Sequence, residues 1–349
     1  TPYQPELSQG ALQVFFEYQT LICMLTGMDI SNASMYDGAS ALAEAALMAI
    51  DGTQRNKVLL SEAIHPEYRK VLQTYLHHLD VEIITIPCAE GLTSMSEMEE
   101  KLSGETAAVL MQSPNFFGVI EDLEKAAALA KKVGALSIAS VDPISLSLLR
   151  TPGELGLDIA TGEGQGLGSP MFFGGPGFGF LACRMERVRR LPGRVVGQTV
   201  DHDGRPAYVL TFQTREQHIR RERATSNICT NHALIAIRAA IYLASLGRTG
   251  FTKLGEIIVA KAHEAAKKIT ALDGYESGFD LPFFKEFVVR CPAPVSLINA
   301  KLRENNITGG YELGRDYPGM EKMMLLCVTE MTSDQDVERL INVLKEIKV

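Results

Sequence analysis

Apolar residues along this chain follow two alternating rhythms. Lys57-Val-Leu-Leu-Ser-Glu62, Glu82-Ile-Ile-Thr-Ile-Pro87, Ala107-Ala-Val-Leu-Met-Gln112 and Leu136-Ser-Ile-Ala-Ser-Val-Asp142 are too short for helices and almost continuously apolar. That is the pattern of strands buried on both faces of a parallel sheet. Between them, Gly38 to Ile50 is alanine-rich, His65 to His77 is amphipathic, and Leu123 to Val133 follows Asp122, a residue type that caps helix starts. Strand and helix in repetition predict an α/β sheet with helices on both faces. From Phe251 the rhythm changes. Helix (251–272), strand (286–290), helix (295–305), a Gly309-Gly310 turn, strand (323–328) and helix (333–348) predict a small α+β domain. Gly247-Arg-Thr-Gly250 ends a helix that begins near Asn231 and marks the boundary. The expected organisation is an N-terminal segment with a helix over 1–30, a large domain over 31–248 and the small domain over 249–349.

Composition narrows the class. The chain has 349 residues, 46% of them hydrophobic, enough for a large core. A net charge of -8 argues against a general nucleic-acid binder, which shows a basic face. No stretch reaches the ~18 consecutive apolar residues of a membrane span. The six cysteines are scattered, with no Cys-x-x-Cys pair, which fits a reducing cytosol or organelle matrix. The chain opens at Thr1-Pro2-Tyr3 without a methionine or leader pattern, so it is expected to be a piece of something longer.

Most familiar motifs fail. Gly177-Phe-Gly-Phe-Leu-Ala182 matches the loose G-x-G-x-x-A dinucleotide pattern but lies inside a predicted strand, Phe178 to Cys183, where no helix follows it. There is no P-loop and no G-x-S-x-G elbow. His77-His78 point about 100° apart on a helix, and no H-E-x-x-H occurs, so no metal site is expected.

Three segments carry chemistry. Tyr36-Asp37-Gly38-Ala39-Ser40 opens a helix with small residues, which suits either a phosphate seat on free backbone amides or an ordinary capped helix. Ser140-Val141-Asp142 puts a carboxylate just past a buried strand, as a ligand group or as the start of a turn before Pro143. The third, "GEGQGLGSPMFFGGPGFG" (162–179), follows the apolar Leu157 to Ala160 stretch, and from Thr151 to Cys183 there is no basic residue at all. It is shaped like a cofactor loop that lacks an anchor.

That order, phosphate turn, aspartate and then loop, resembles the large domain of fold-type I pyridoxal phosphate enzymes. The strings "TPYQPELSQG" (1–10), "ASMYDGASALAEAALMA" (33–49), "SPNFFGVIEDL" (113–123), "VLTFQTREQHIRRERATSNICTN" (209–231) and "GGYELGRDYP" (309–318), with the glycine-rich stretch, resemble the P protein of the glycine cleavage system. The likeness is to its N-terminal half, made in many bacteria as a separate subunit 1. It covers essentially the whole chain and implies about a hundred further residues ahead of "TPYQPE", a domain-sized piece.

The resemblance implies a fold-type I, aspartate aminotransferase-like large domain with a mixed, mostly parallel sheet plus a small C-terminal α+β domain. It implies a glycine dehydrogenase (decarboxylating) in which pyridoxal phosphate carries the chemistry on glycine and the aminomethyl group passes to the lipoyl arm of the H protein. The Schiff-base lysine of that family belongs to subunit 2, before a Gly-Gly-Pro-Gly run. Here Gly174-Gly-Pro-Gly177 is kept, while the upstream place reads Gly164-Gln165-Gly166-Leu167. The expectation is therefore no catalytic residue in this chain, with Gln165 and Gly166 standing where an amine would be needed. Gly38, Ala39, Ser40 and Asp142 become vestigial cofactor positions. Subunit 2 is the expected partner, as a heterodimer or heterotetramer, and holds the cofactor covalently.

Residues that serve the neighbour's site or the interface are expected among Tyr3, Gln4 and Glu6 in a strand-like opening, Tyr36, Asn115, and Thr225, Ser226 and Asn227. Packing or interface structure is the other reading of each, since loop residues serve either role. Arg215, Arg220, Arg221 and Arg223 form a basic cluster facing the partner, H protein or a carboxylate, or simply a solvated helix face. Two other readings stay open: an independently active enzyme using Lys131 or Lys132, and a scaffold or regulatory subunit that gives no atoms to the site.

Overall fold

The computed structural model describes residues 2–347. Thr1, Lys348 and Val349 lie outside the described residues, and with them the last residue of the helix expected over 333–348. The chain divides into two compact units: residues 1–88, 93–113 and 122–251, and residues 89–92, 114–121 and 252–349. Ala89–Leu92 and Pro114–Glu121 fall inside the 31–248 span in sequence yet belong to the second unit.

The first unit is built on seven strands: β1 (Ile30–Ser31), β2 (Lys57–Ser61), β3 (Glu82–Ile86), β4 (Thr106–Ser113), β5 (Leu136–Val141), β6 (Ile159–Glu163) and β7 (Gly179–Cys183). Their order across the sheet is β1-β7-β6-β5-β4-β2-β3. The run from β3 to β6 is parallel, and β7 and β1 add antiparallel pairs at one edge. The parallel strands are the ones the apolar runs predict, and the mixed, mostly parallel sheet is the one the family resemblance implies. Strand β6 starts two residues later than the apolar stretch at Leu157, because Asp158 turns its carboxylate back to accept from Ser137 N and Oγ, both at 2.9 Å.

Helices α1 (Gln9–Thr26), α2 (Gly38–Thr53), α3 (Pro66–Leu76), α4 (Met95–Lys101) and α5 (Leu123–Lys132) complete the layers. Ala41, Ala45, Ala46 and Ala49 of α2 lie in one core with Val58, Leu60, Ala108, Leu110, Ile138 and Leu181 of the sheet. Alanine explains the fit: it favours helix and lets the backbone come close to the strands. The alternate residues Leu59, Val109 and Ala139 are buried as well, so the strands are covered on both faces. Asp122 caps α5 by accepting from Lys125 N. The Tyr3–Glu6 stretch is a turn rather than a strand, with Leu7 N and Ser8 N donating to Gln4 O; Pro2 and Pro5 withhold two of the donors a strand would need. Strands β8 (Val195–Val200) and β9 (Pro206–Thr211) form a separate antiparallel hairpin.

The two helices expected on either side of Gly247 form one stretch, α6 (Ala233–Thr270), broken at Gly247 where φ is 58°. By length and hydropathy alone α6 passes as a membrane-crossing helix. The break leaves about 14 residues before Gly247, roughly 21 Å against a ~30 Å hydrocarbon core, and charged residues punctuate the rest.

The second unit carries a four-stranded antiparallel sheet, order β10 (Glu276–Ser277), β11 (Glu286–Arg290), β13 (Met323–Cys327), β12 (Tyr311–Glu312), with α7 (Val295–Glu304) and α8 (Asp334–Glu346). Phe287, Val289 and Met324 from the strands meet Ile298, Leu302, Ile341 and Leu344 from the helices in one apolar core.

Candidate functional site

The N-terminal end of α2 and the root of the glycine-rich loop come together at the end of the sheet. Helix α2 begins in a capping box: Asp37 accepts from Ser40 N at 2.7 Å, and Ser40 Oγ accepts from Asp37 N at 3.2 Å. Such a box satisfies two of the donors that a helix start leaves open. The next donor, Gly38 N, is met by Glu163 Oε2 at 2.9 Å, and Glu163 Oε1 accepts from Gln165 N at 3.1 Å. Burial pushes the Glu163 carboxyl above the usual range, against the pull of the Gly38, Gln165 and Phe178 amides.

Glycine is required on both sides of this contact. A Cβ on Gly38 would stand 2.8 Å from Glu163 N and closer still to the Tyr68 hydroxyl, and one on Gly179 would land on the Asp37 carbonyl. These glycines serve close packing of β7, the loop and α2.

The same place was expected to be a vestigial cofactor seat. Its residues do not fit pyridoxal phosphate. No amine stands in the loop, where Gln165 instead donates from Nε2 to Pro170 O at 3.3 Å, and the carboxylate of Glu163 sits where a phosphate group would draw on the helix amides. Ala39 belongs to the first turn of α2 beside Gly38. Asp142 takes the turn reading of its two: Oδ1 accepts from Ile144 N at 2.8 Å, and its carbonyl accepts from Ser145 Oγ. Ile144 in turn approaches Gly166, so the Asp142 turn lines the loop from the other side.

The remaining sequence candidates separate. Tyr36 is half-buried, its ring 5.9 Å from the His232 ring, and His232 Nδ1 bonds to Gly177 O at the foot of the loop. Tyr3 packs on Phe15 with the Arg194 guanidinium 5.5 Å above its ring; burial first, opposed by a bond to Thr230, raises its hydroxyl pKa. Gln4 and Glu6 are exposed. Thr225 and Ser226 face inward onto α2. Thr225 Oγ1 donates to Asp51 at 3.1 Å, beside the Arg190–Asp51 ion pair, and Ser226 pairs with Glu44. Asn227 next to them is exposed.

Asn115, in the second unit, is 2% exposed. Its Nδ2 donates to Gly91 O and Glu121, while its Oδ1 accepts from Phe117 N and Val119 N. That side chain is spent on shaping its own turn.

The four arginines do not make one cluster. Arg215 is part-buried and donates to the carbonyls of Leu191 and Gly193, closing the segment after β9 onto the chain; Arg220, Arg221 and Arg223 follow on separate short turns and are exposed. Half-buried Arg194 there pairs with buried Glu216. Lys132 makes an exposed ion pair with Glu99 at 2.9 Å, and Lys131 is exposed beside it, both at the end of α5, where cations suit the helix dipole.

Two features escaped sequence reasoning. His65 caps α3, stacks on Tyr68 with centroids 5.1 Å apart, and donates its backbone N–H to Gln112 at 2.9 Å. Its position just past β2, at the carboxyl end of a parallel strand, was the available signal. Glu44, on the buried face of α2, is 4% exposed, and its Oε2 has no hydrogen-bond partner among the described residues. Burial raises its carboxyl to about 7, against the Ser226 bond. Nothing in an alanine-rich helix signals this.

The family model of the glycine cleavage system P-protein matches residues 1–344. A protein of Desulforamulus reducens named "Probable glycine dehydrogenase (decarboxylating) subunit 1" is 54% identical over 340 residues, 97% of this chain and 76% of that protein. One of the same name from Desulfitobacterium hafniense is 53% identical over 348 residues, 100% of this chain and 78% of its own. Among solved structures, the inhibitor-bound glycine decarboxylase (P-protein) of the glycine cleavage system superposes with a TM-score of 0.95 at 45% identity, covering 99% of this chain and 78% of that one. A cysteine desulfurase from Thermococcus onnurineus shares the fold at 17% identity, with a TM-score of 0.69 over 97% of this chain and 85% of its own.

Proposed function

The chain belongs to the glycine cleavage system P-protein family, and from that premise we propose that it is the half of a glycine dehydrogenase that carries no Schiff-base lysine. In this reading it pairs with subunit 2, as a heterodimer or heterotetramer, in the bacterial cytoplasm. Pyridoxal phosphate is bound covalently by subunit 2, glycine reacts there, and the product group passes to the lipoylated H protein.

The observation that carries this reading is the filled seat at α2. Glu163 occupies the helix amides, and Gln165 and Gly166 stand where an amine would be needed. This chain's part is then to hold the partner's site in shape. Asn227, Gln4 and Glu6 are exposed and remain the side chains available to the interface, while Tyr3, Tyr36, Asn115, Thr225 and Ser226 are held by their own chain. The loop tip adds apolar surface: Met171 and Phe173 are 81% and 111% exposed, and a partner would cover such a patch.

Reconstitution tests the proposal. Neither chain alone should release carbon dioxide from glycine, and the mixture should. Absorbance near 420 nm in the isolated chain, fixed by borohydride, would show a Schiff base here and overturn it.

A further inference from the structure

The first turn of α2 has the make-up of an anion seat, and the chain fills it from within. A helix start offers free N–H groups and the positive end of the dipole. Here Gly38 N and, from the loop, Gln165 N converge on the two oxygens of one side chain, Glu163, at 2.9 and 3.1 Å, with the Phe178 amide also favouring its charge. Convergent main-chain amides of this kind form a nest for an anion. The fit is close: a Cβ on Gly177 would lie 3.1 Å from Glu163 Oε1, and one on Gly38 would strike Glu163 N and Tyr68. Asp37 takes the neighbouring donor, Ser40 N. Little room or hydrogen-bonding capacity is left for a second anion, and a second negative charge beside Glu163 would be repelled in this part-buried setting.

We propose that Glu163 is a built-in occupant of the anion seat at α2: it takes the place of a phosphate group, closes the seat to phosphate esters, and ties the root of the glycine-rich loop to the helix. Only atoms of this chain are involved, so the closure holds whatever subunit 2 contributes. Removing the carboxylate leaves the convergent amides without an acceptor, and a dianion becomes the natural replacement.

The test uses the full chain with inorganic phosphate and pyridoxal phosphate as probes, followed by titration calorimetry and phosphorus NMR. Wild type should show no saturable binding. Glu163→Ala should take up one phosphate per chain, about tenfold or more tighter than any residual binding by wild type, with the Gly38 and Gln165 amide resonances shifting on addition. Glu163→Gln, whose amide oxygen still accepts from Gly38 N, should stay closed. Equal phosphate affinity in wild type and Glu163→Ala, or a folded Glu163→Ala that binds none, overturns the proposal. Should Glu163→Ala fail to fold, the wild type decides. The Gly38 and Gln165 amide shifts should follow one acid titration lying above the ordinary glutamate range, and amides indifferent to that titration overturn the proposed tie.

Discussion

The root and the tip of the glycine-rich loop obey different rules. At the root, the two sides of the loop are tied by the Gly164 N to Phe178 O bond at 2.7 Å, and Gly179 is fastened to the segment before α2 by Met35 N donating to its carbonyl at 2.7 Å. Every added atom there strikes a neighbour. At the tip, Met171 to Phe173 are exposed, and both phenylalanines hold positive φ, 43° and 56°, a region that bulky residues avoid. One continuous glycine-rich sequence thus contains a packed hinge and an apolar projection. The root should govern whether this chain folds, and the tip what it touches.

That contrast is open to attack in order of expected effect. Gly179→Ala places a methyl on the Asp37 carbonyl, and backbone cannot swing aside as a side chain can. A loss of about 3 kcal/mol or more in denaturant unfolding is expected, and a folded variant of near-native stability would break the claim that packing demands this glycine.

The α2 helix on which the root rests holds the second largest effect. Glu44 lies in its buried face with a carboxyl raised from 4.5 to about 7. Because the folded value exceeds the unfolded one, the associated stability is fully present below pH ~4.5 and is lost as pH rises through about 7. The loss amounts to roughly 3 kcal/mol at one-pKa-unit accuracy. Glu44→Gln should flatten that part of the stability profile and leave the chain more stable than wild type at pH 8; an unchanged profile would show that Glu44 is solvated.

Glu163→Ala comes third. It leaves the Gly38 and Gln165 amides without their acceptor, worth about 2 kcal/mol, read by the unfolding midpoint without phosphate. Added phosphate should recover part of that loss. Phe173→Asn is smallest in stability, within about 0.5 kcal/mol, since asparagine tolerates positive φ and the ring is exposed. Its effect belongs elsewhere: association with subunit 2, measured by sedimentation, should weaken. A variant that lost stability but kept association would reverse the roles of root and tip.

Much of this was written in the chain. Parallel strands buried on both faces must be continuously apolar, so β2, β3, β4 and β5 could be read to within a residue or two. Asp122 as a cap and the break at Gly247 follow from backbone chemistry local to a few residues. The lack of an amine in the loop is a fact of composition. Long-range partners were not written there. Asn115, Thr225 and Arg215 read as candidate site groups because polar residues in loops look alike, yet each bonds to an atom far off in sequence, 24 positions away for Asn115 and for Arg215 and 174 for Thr225.

The sequence by itself determined the rhythm of strands and helices, the absence of an anchoring lysine and the family likeness, since each depends on residue identity and near neighbours. Only the tertiary structure decided that Glu163, 125 residues from Gly38, closes the helix end, and that Glu44 is buried with one oxygen unpaired among the described residues. Desolvation and hydrogen bonding depend on which atoms surround a carboxylate, and those atoms arrive through the fold rather than along the chain.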